Sequence, residues 1–182
     1  MNELAARVVA ELTRRGLTIA VAESLTGGLV VAELVGVPGA SAVVRGGVVA
    51  YATELKSSLL GVDVALLAAK GPIDPEVAKQ MAEGVRWRLG HHGVPVDIGL
   101  ATTGVAGPDP QDGHPVGEVW IGLALGDTVT AYGLTLGGDR SAVRSATVSE
   151  SLLRVLEGLP ESLAFRSRYR TCRHSVVRGG TI

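Results

Sequence analysis

Leu17-Thr-Ile-Ala-Val-Ala-Glu-Ser-Leu-Thr-Gly-Gly28 is the stretch on which the fold turns. Residues 17–22 are a short run of buried-strand length that includes the β-branched Thr18, Ile19 and Val21. A strand that is apolar without alternation is covered on both faces, as strands of parallel sheets are. Glu23 to Gly28 follow as a tight turn, and the apolar segment up to Val35 reads as a helix. Strand, turn and helix in that order open a parallel α/β unit. The turn then lies at the carboxyl end of a buried strand, where open sheets of this kind bind ligands.

On the amino-terminal side, Leu4, Val8 and Leu12 recur at four-residue steps with Glu3, Arg7, Glu11 and Arg15 between them, which predicts an amphipathic helix over 3–15 stopped by Gly16. On the other side, residues 43–51 read as a second strand and 53–60 as a short helix capped by Thr53, with Lys56 in its first turn. Asp74-Pro75-Glu76 is a cap followed by proline at the first helical position, and the helix it opens runs to about Leu89, closed by His91, His92 and Gly93. Residues 96–102 are a third apolar run, leading into a loop over 103–117 with four Gly and three Pro, long enough to be functional. Residues 118–125 and 128–136, joined at Gly126-Asp127, predict an antiparallel hairpin, and Asp139 caps a last helix through Glu157. Two βα passages plus a hairpin predict an α/β fold, a three-layer α/β/α arrangement about a mixed sheet.

The chain has 182 residues, enough for one domain, placed at 1–160. Aromatics are 3% against 25 glycines, so the core must come from closely packed Val, Leu and Ala, which favours α/β over an aromatic-rich sandwich. The net charge of −1 divides unevenly: 161–182 holds five Arg and one Glu, or +4, which leaves −5 for 1–160. That is a flexible basic tail on a mildly acidic body, and such a body offers no cationic face to a nucleic-acid backbone. Nucleic-acid recruitment is left to the tail alone, where it would be salt-sensitive and lost on truncation at residue 160. Cys172 is the single cysteine, which excludes a disulfide framework within the chain and a Cys-rich zinc site. His91 and His92 are adjacent and His114 and His174 isolated, so no metal and no cofactor are expected. Neither a secretory leader nor an uninterrupted apolar window of membrane-spanning length is present, and the expectation is a cytoplasmic protein without a membrane partner.

Four places can carry chemistry. Ser24 is a hydroxyl just beyond a buried strand, and the bare amides about Thr26, Gly27 and Gly28 can hold an oxyanion or phosphate; the competing reading makes Ser24 an N-cap. Tyr51 and Lys56 join a strand end to a helix start. With three lysines against fourteen arginines, Lys56 draws notice. A lysine in an apolar pocket becomes a base, although most lysines are solvated. Thr103, Gly104, Ala106 and Gly107 form a Gly-containing loop without a Walker or dinucleotide fingerprint, either an anion cradle or a rigid connection. Arg140 and Arg144 stand four residues apart near a helix start, as a phosphate clamp or as a surface pair with carboxylates.

Taken together, Glu23-Ser-Leu-Thr-Gly-Gly28, Gly47-Val-Val-Ala-Tyr51 with Lys56, Thr103-Gly-Val-Ala-Gly-Pro-Asp109, Pro115-Val-Gly-Glu-Val-Trp120 and Gly138-Asp-Arg140 with Arg144 resemble the CinA C-terminal domain family over residues 4–157. The family includes nicotinamide-nucleotide amidohydrolases (PncC), which convert nicotinamide mononucleotide and water into nicotinate mononucleotide and ammonia. The resemblance implies a stand-alone form of that domain. It makes Ser24 the nucleophile and Tyr51 and Lys56 its partners, in a serine amidase without histidine. It also places Ser41 and the 103–109 loop on the substrate side and implies a homodimer or larger homo-oligomer. The pattern departs at Gly71-Pro-Ile-Asp-Pro75, where relatives often have Gly-Ala-Val-Ser-Glu; Asp74 replaces the serine as a helix cap. For the mechanism, Lys56 must be neutral near pH 7 and must take the Ser24 proton directly or through Tyr51. The alternative is a non-catalytic nucleotide-binding or protein-interaction module of the competence/damage-inducible type.

Overall fold

β1 (Ile19–Glu23) is the central parallel strand, with all five residues buried. It lies in a five-stranded sheet of order β2-β1-β3-β4-β5, with β2 at Val44–Val49, β3 at Ile98–Gly104, β4 at Glu118–Leu125 and β5 at Thr128–Thr135. β2 and β3 flank β1 in parallel, and β3-β4-β5 continue antiparallel, so the sheet is mixed. This computed structural model describes residues 3–159, and the Arg-rich segment 161–182 lies outside them.

The helices are α1 (Glu3–Arg15), α2 (Leu29–Val35), α3 (Thr53–Leu60), α4 (Val64–Lys70), α5 (Pro75–Arg88) and α6 (Arg140–Gly158). α1, α2 and α6 pack together on one face of the sheet and α5, with α3 against it, on the other. Alternation along β1 divides the core accordingly: Ile19 and Val21 join Val8, Leu12, Leu34 and Leu152 on the first face, while Ala20 and Ala22 join Val77, Met81 and Val85 on the second. That is the expected three-layer α/β/α arrangement. Arg86 of α5, 3% exposed, donates to the carbonyls of Val96 and Gly126 at 2.9 and 2.8 Å, which ties α5 to the end of the sheet where β3 begins and β4 finishes. Among the described residues no helix is long and apolar enough to cross a membrane.

The sequence signals for α1, α5 and α6 fall where the helices are, with Asp74 accepting from the Glu76 amide at 2.7 Å and Asp139 from the Ala142 amide at 2.8 Å. Three local expectations change. Thr53 is the first helical residue, and the cap position belongs to Ala52, which makes no side-chain cap bond. α4 was not foreseen: six of its seven residues are apolar, so no polar face alternates with an apolar one to mark a helix, although Asp63, whose side chain accepts from the Ala65 amide, is a cap signal. A single 3₁₀ turn occupies Ala40–Ala42.

Candidate active site

Parallel pairing explains why motifs far apart in sequence meet. Glu23 is in register with Val49 on one side and Thr102 on the other, and each ladder runs one step further: the Ser24 amide donates to the Thr102 carbonyl and the Ala50 amide to the Glu23 carbonyl, both at 2.9 Å. The carboxyl ends of β2, β1 and β3 are therefore level, with the connection from β1 leading to β2 on one side and that from β3 to β4 on the other. That is the switch point at which such sheets open a crevice. A cleft of about 110 Å³ lies there, lined by Ser24, Tyr51, Lys56, Thr103, Gly104, Ala106, Gly107 and Arg140 from the expected set.

Lys56 is the buried cation of this cleft, 1% exposed. Its Nζ lies 2.8 Å from the Ala50 carbonyl oxygen and 3.1 Å from Ser24 Oγ. Burial lowers its pKa from 10.5 to about 8, opposed by the nearby Glu54 carboxylate. In its neutral form the amine donates to Ala50 and keeps a lone pair for the serine proton, the arrangement an activated hydroxyl nucleophile needs. Ser24 is no helix cap. The cap position of α2 is Gly28, at φ 100°, and the buried Glu23 carboxylate accepts the amides of Gly28, Val30 and Val31 at 2.8, 3.1 and 2.9 Å. Glu23 thus satisfies free donors of the α2 N-terminus, among them the Gly28 amide that the sequence reading had assigned to an oxyanion or phosphate. An acidic residue five positions ahead of a Gly-started helix was the signal that could have found it.

Tyr51 and Arg140 form the rim. Tyr51 is 60% exposed, and its hydroxyl accepts Arg140 Nη2 at 3.0 Å. It makes no hydrogen bond to Ser24 or Lys56 in this arrangement, so the proton path that the geometry offers is the direct one. Arg140 Nη1 donates to the Gly107 carbonyl at 2.7 Å, which fastens the 103–109 loop to the start of α6.

The remaining expected residues lie elsewhere. Thr26 is buried, its hydroxyl against that of Thr102 at 2.7 Å. The Gly27 amide closes a turn on the Ser24 carbonyl and that of Gly28 belongs to Glu23, so neither glycine offers an amide to a ligand. Arg144 does not join Arg140 in a clamp. Its Nε and Nη2 donate to the carbonyls of Leu25 and Thr26 at 3.0 and 2.9 Å. Ser41 is exposed in the turn before β2, at the amino end of that strand and so at the opposite end of the sheet from Ser24. Unforeseen in the cleft wall are Pro72 and Ile73, from the segment where the sequence departs from its relatives, together with Thr53 and Gln111, whereas Asp109 belongs to the 103–109 loop expected there. The Thr103 hydroxyl donates to the Pro72 carbonyl at 2.7 Å and holds that segment against the site.

A model of the CinA C-terminal domain matches residues 1–159. The CinA-like protein of Frankia casuarinae is 51% identical over 158 residues, 85% of this chain and 35% of that protein. The putative competence-damage inducible protein of Geobacillus kaustophilus is 45% identical over 154 residues, 84% of this chain and 36% of that one. The chain spans about a third of the length of these curated relatives. Among solved structures, the competence/damage inducible protein CihA of Agrobacterium tumefaciens matches with a TM-score of 0.79 at 34% identity, over 85% of this chain and 93% of that one. A CinA superfamily protein of Klebsiella pneumoniae matches with a TM-score of 0.80 at 30% identity, over 86% and 97%. Sequence, fold and motif positions agree, and the chain belongs to the CinA C-terminal domain family.

Proposed function

We propose that the chain is an amidohydrolase that converts the carboxamide of nicotinamide mononucleotide into the carboxylate of nicotinate mononucleotide with release of ammonia. The observation that carries the reaction class is the 3.1 Å approach of a buried lysine, its pKa lowered to about 8, to the hydroxyl of Ser24 at the floor of a cleft. The substrate follows from the family resemblance. The space, about 110 Å³, is on the scale of one ring bearing an amide, so ribose and phosphate extend across the rim at Tyr51 and Arg140.

Neutral Lys56 takes the proton of Ser24 as Oγ bonds to the carboxamide carbon. The tetrahedral oxyanion collapses, the carbon–nitrogen bond breaks, and the lysine proton leaves with ammonia. Water, deprotonated by the same amine, then attacks the acyl-serine ester, that proton passes to Ser24 Oγ as the ester bond breaks, and the acid so freed gives its own proton to ammonia or solvent and departs as the carboxylate. Each cycle begins and ends with the amine neutral. At pH 7 about a tenth of the molecules hold it so, given a pKa of about 8.

Ammonia release from nicotinamide mononucleotide by the wild type and Ser24→Ala tests the reading. Turnover by the wild type, and its loss with an unchanged thermal melt in the variant, is the expected pair of results. Full turnover by Ser24→Ala removes the nucleophile assignment, and an inert wild type leaves the binding module as the better description.

A further inference from the structure

Five residues, Ser24 to Gly28, connect β1 to α2, and a trans peptide points the carbonyl of one residue and the amide of the next in opposite directions within one plane. Whatever holds a carbonyl therefore aims the following amide. The Ser24 carbonyl accepts the Gly27 amide at 3.1 Å, which turns the Leu25 amide away from the inside of that turn. The Leu25 carbonyl accepts Arg144 Nε at 3.0 Å, which turns the Thr26 amide away from α6. The Thr26 carbonyl accepts Arg144 Nη2 at 2.9 Å.

Ser24, Gly27 and Gly28 spend their amides on the Thr102 carbonyl, the Ser24 carbonyl and the Glu23 carboxylate. The two amides of the turn that donate to no acceptor among the described residues are those of Leu25 and Thr26, directly after the nucleophile, and Thr26 is fully buried. Leu25 lines the cleft and Thr26 does not, so the Leu25 amide is the one a substrate can reach, and a donor without a partner directly after the nucleophile is what an oxyanion site requires. Gly27 makes room for the brace: a Cβ there, at φ 60°, would stand 3.4 Å from Arg144 Nη2.

We propose that Arg144 is a positioning residue for the nucleophile turn: by holding the Thr26 carbonyl it aims the Gly27 amide at the Ser24 carbonyl, and the Ser24 carbonyl so held leaves the Leu25 amide to receive the oxyanion formed on Ser24 attack. The assignment rests on the amidase reading above. It differs from a phosphate clamp in what it predicts. Oxyanion stabilisation is realised in the transition state, so it acts on kcat, on substrates with and without phosphate alike, and leaves the Lys56 titration where it was.

The experiment measures kcat and KM for Arg144→Met and Arg144→Lys on nicotinamide mononucleotide and on nicotinamide riboside, which lacks the phosphate, with a pH profile for each. A roughly hundredfold or greater loss of kcat for Arg144→Met is expected on both substrates, with KM within about threefold and the pH midpoint unmoved. Arg144→Lys, one donor group in place of a fork, is expected to lie between the two. A loss confined to KM for the phosphorylated substrate, or an unchanged kcat, overturns the assignment. If the wild type releases ammonia from neither compound, the amidase reading fails, and the brace is then judged by the rate at which an ethoxy fluorophosphonate labels Ser24, whose adduct also presents an oxygen to the Leu25 amide. Labelling at least tenfold slower in the variants supports it, and equal labelling overturns it. If Arg144→Met does not fold, Arg144→Lys decides by the same criteria.

Discussion

Arg140 links Tyr51 to the loop after β3: one guanidinium nitrogen lies 3.0 Å from the Tyr51 hydroxyl and the other 2.7 Å from the Gly107 carbonyl oxygen. A tyrosine held this way, 60% exposed and facing an arginine, belongs to the substrate boundary rather than to the proton path. Tyr51→Phe should therefore lower kcat by less than about tenfold, against the 10²–10⁴ expected for a group that transfers the proton. Arg140→Ala should act mainly on KM, about tenfold or more for nicotinamide mononucleotide and far less for the riboside, since an exposed guanidinium with donors to spare is a phosphate partner. Steady-state constants for the two variants on both compounds check this, and a collapse of kcat in Tyr51→Phe would return the tyrosine to the proton relay.

The pH dependence of kcat/KM follows from Lys56. Its neutral form is the base, so the rate should rise tenfold per pH unit below about pH 8 and level off above it. Glu54 opposes the effect of burial. Removing its charge in Glu54→Gln should move the midpoint below that of the wild type and raise activity at pH 7. A profile flat from pH 6 to 8 would show that another group takes the proton.

The same lysine makes stability depend on pH in a direction that can be stated. Its folded pKa, about 8, is below the ordinary lysine value of 10.5 because burial disfavours the charged form. Between those two pH values the unfolded chain holds the proton that the folded chain has released, so stability rises with pH across the window, and below pH 8 the cost of burying the charge is felt in full. Lys56→Met carries no such charge. At about 1.4 kcal/mol per pH unit, the wild type should gain about 3 kcal/mol on this variant between pH 8 and pH 10.5, read from urea unfolding of both proteins over that range. A stability difference constant with pH would mean that the amine keeps an ordinary pKa in the fold.

Much of this was legible in the sequence because the signals were local. The unalternating run before Glu23 gave a strand buried on both faces, and Asp74 and Asp139 marked helix starts that the structure places at the next residue. The approach of Ser24 and Lys56 was within reach too, since both follow carboxyl ends of strands that proved to be neighbours. What stayed hidden depends on where a polar group finds its partner. Arg140 and Arg144 share a helix turn and a charge, yet one turns to the cleft rim and the other to the carbonyls behind the nucleophile. The amides of Gly27 and Gly28 looked free until Glu23 and the Ser24 carbonyl were seen to hold them. Ser41 matched the family position but lies past the far end of its strand, a distance that no spacing reveals. The count of glycines indicated close packing without saying which of them bring helix against sheet or helix against helix.

Gly84 is the one that reaches the active site. It lies on α5 beneath the end of α3, where a Cβ would stand 1.9 Å from the Leu60 carbonyl oxygen, a backbone atom that cannot step aside alone. α3 carries Lys56, whose Nζ is set 3.1 Å from Ser24 by that helix and by its bond to Ala50. Gly84→Ala must therefore displace α3 from α5 and carry the lysine with it. Overpacking at such a contact costs about 1–3 kcal/mol, which for a domain of this size lowers Tm by roughly 2–12 °C. A shift of even an ångström between nucleophile and base is worth about a hundredfold in rate. Gly137, with nothing within 4 Å of its Cβ position and no positive φ, is the control, and its alanine variant should match the wild type in melting and turnover. Thermal melts and kcat for the two variants, measured side by side, decide the matter: a Gly84→Ala protein with undiminished kcat would mean that α3 does not set the position of the base.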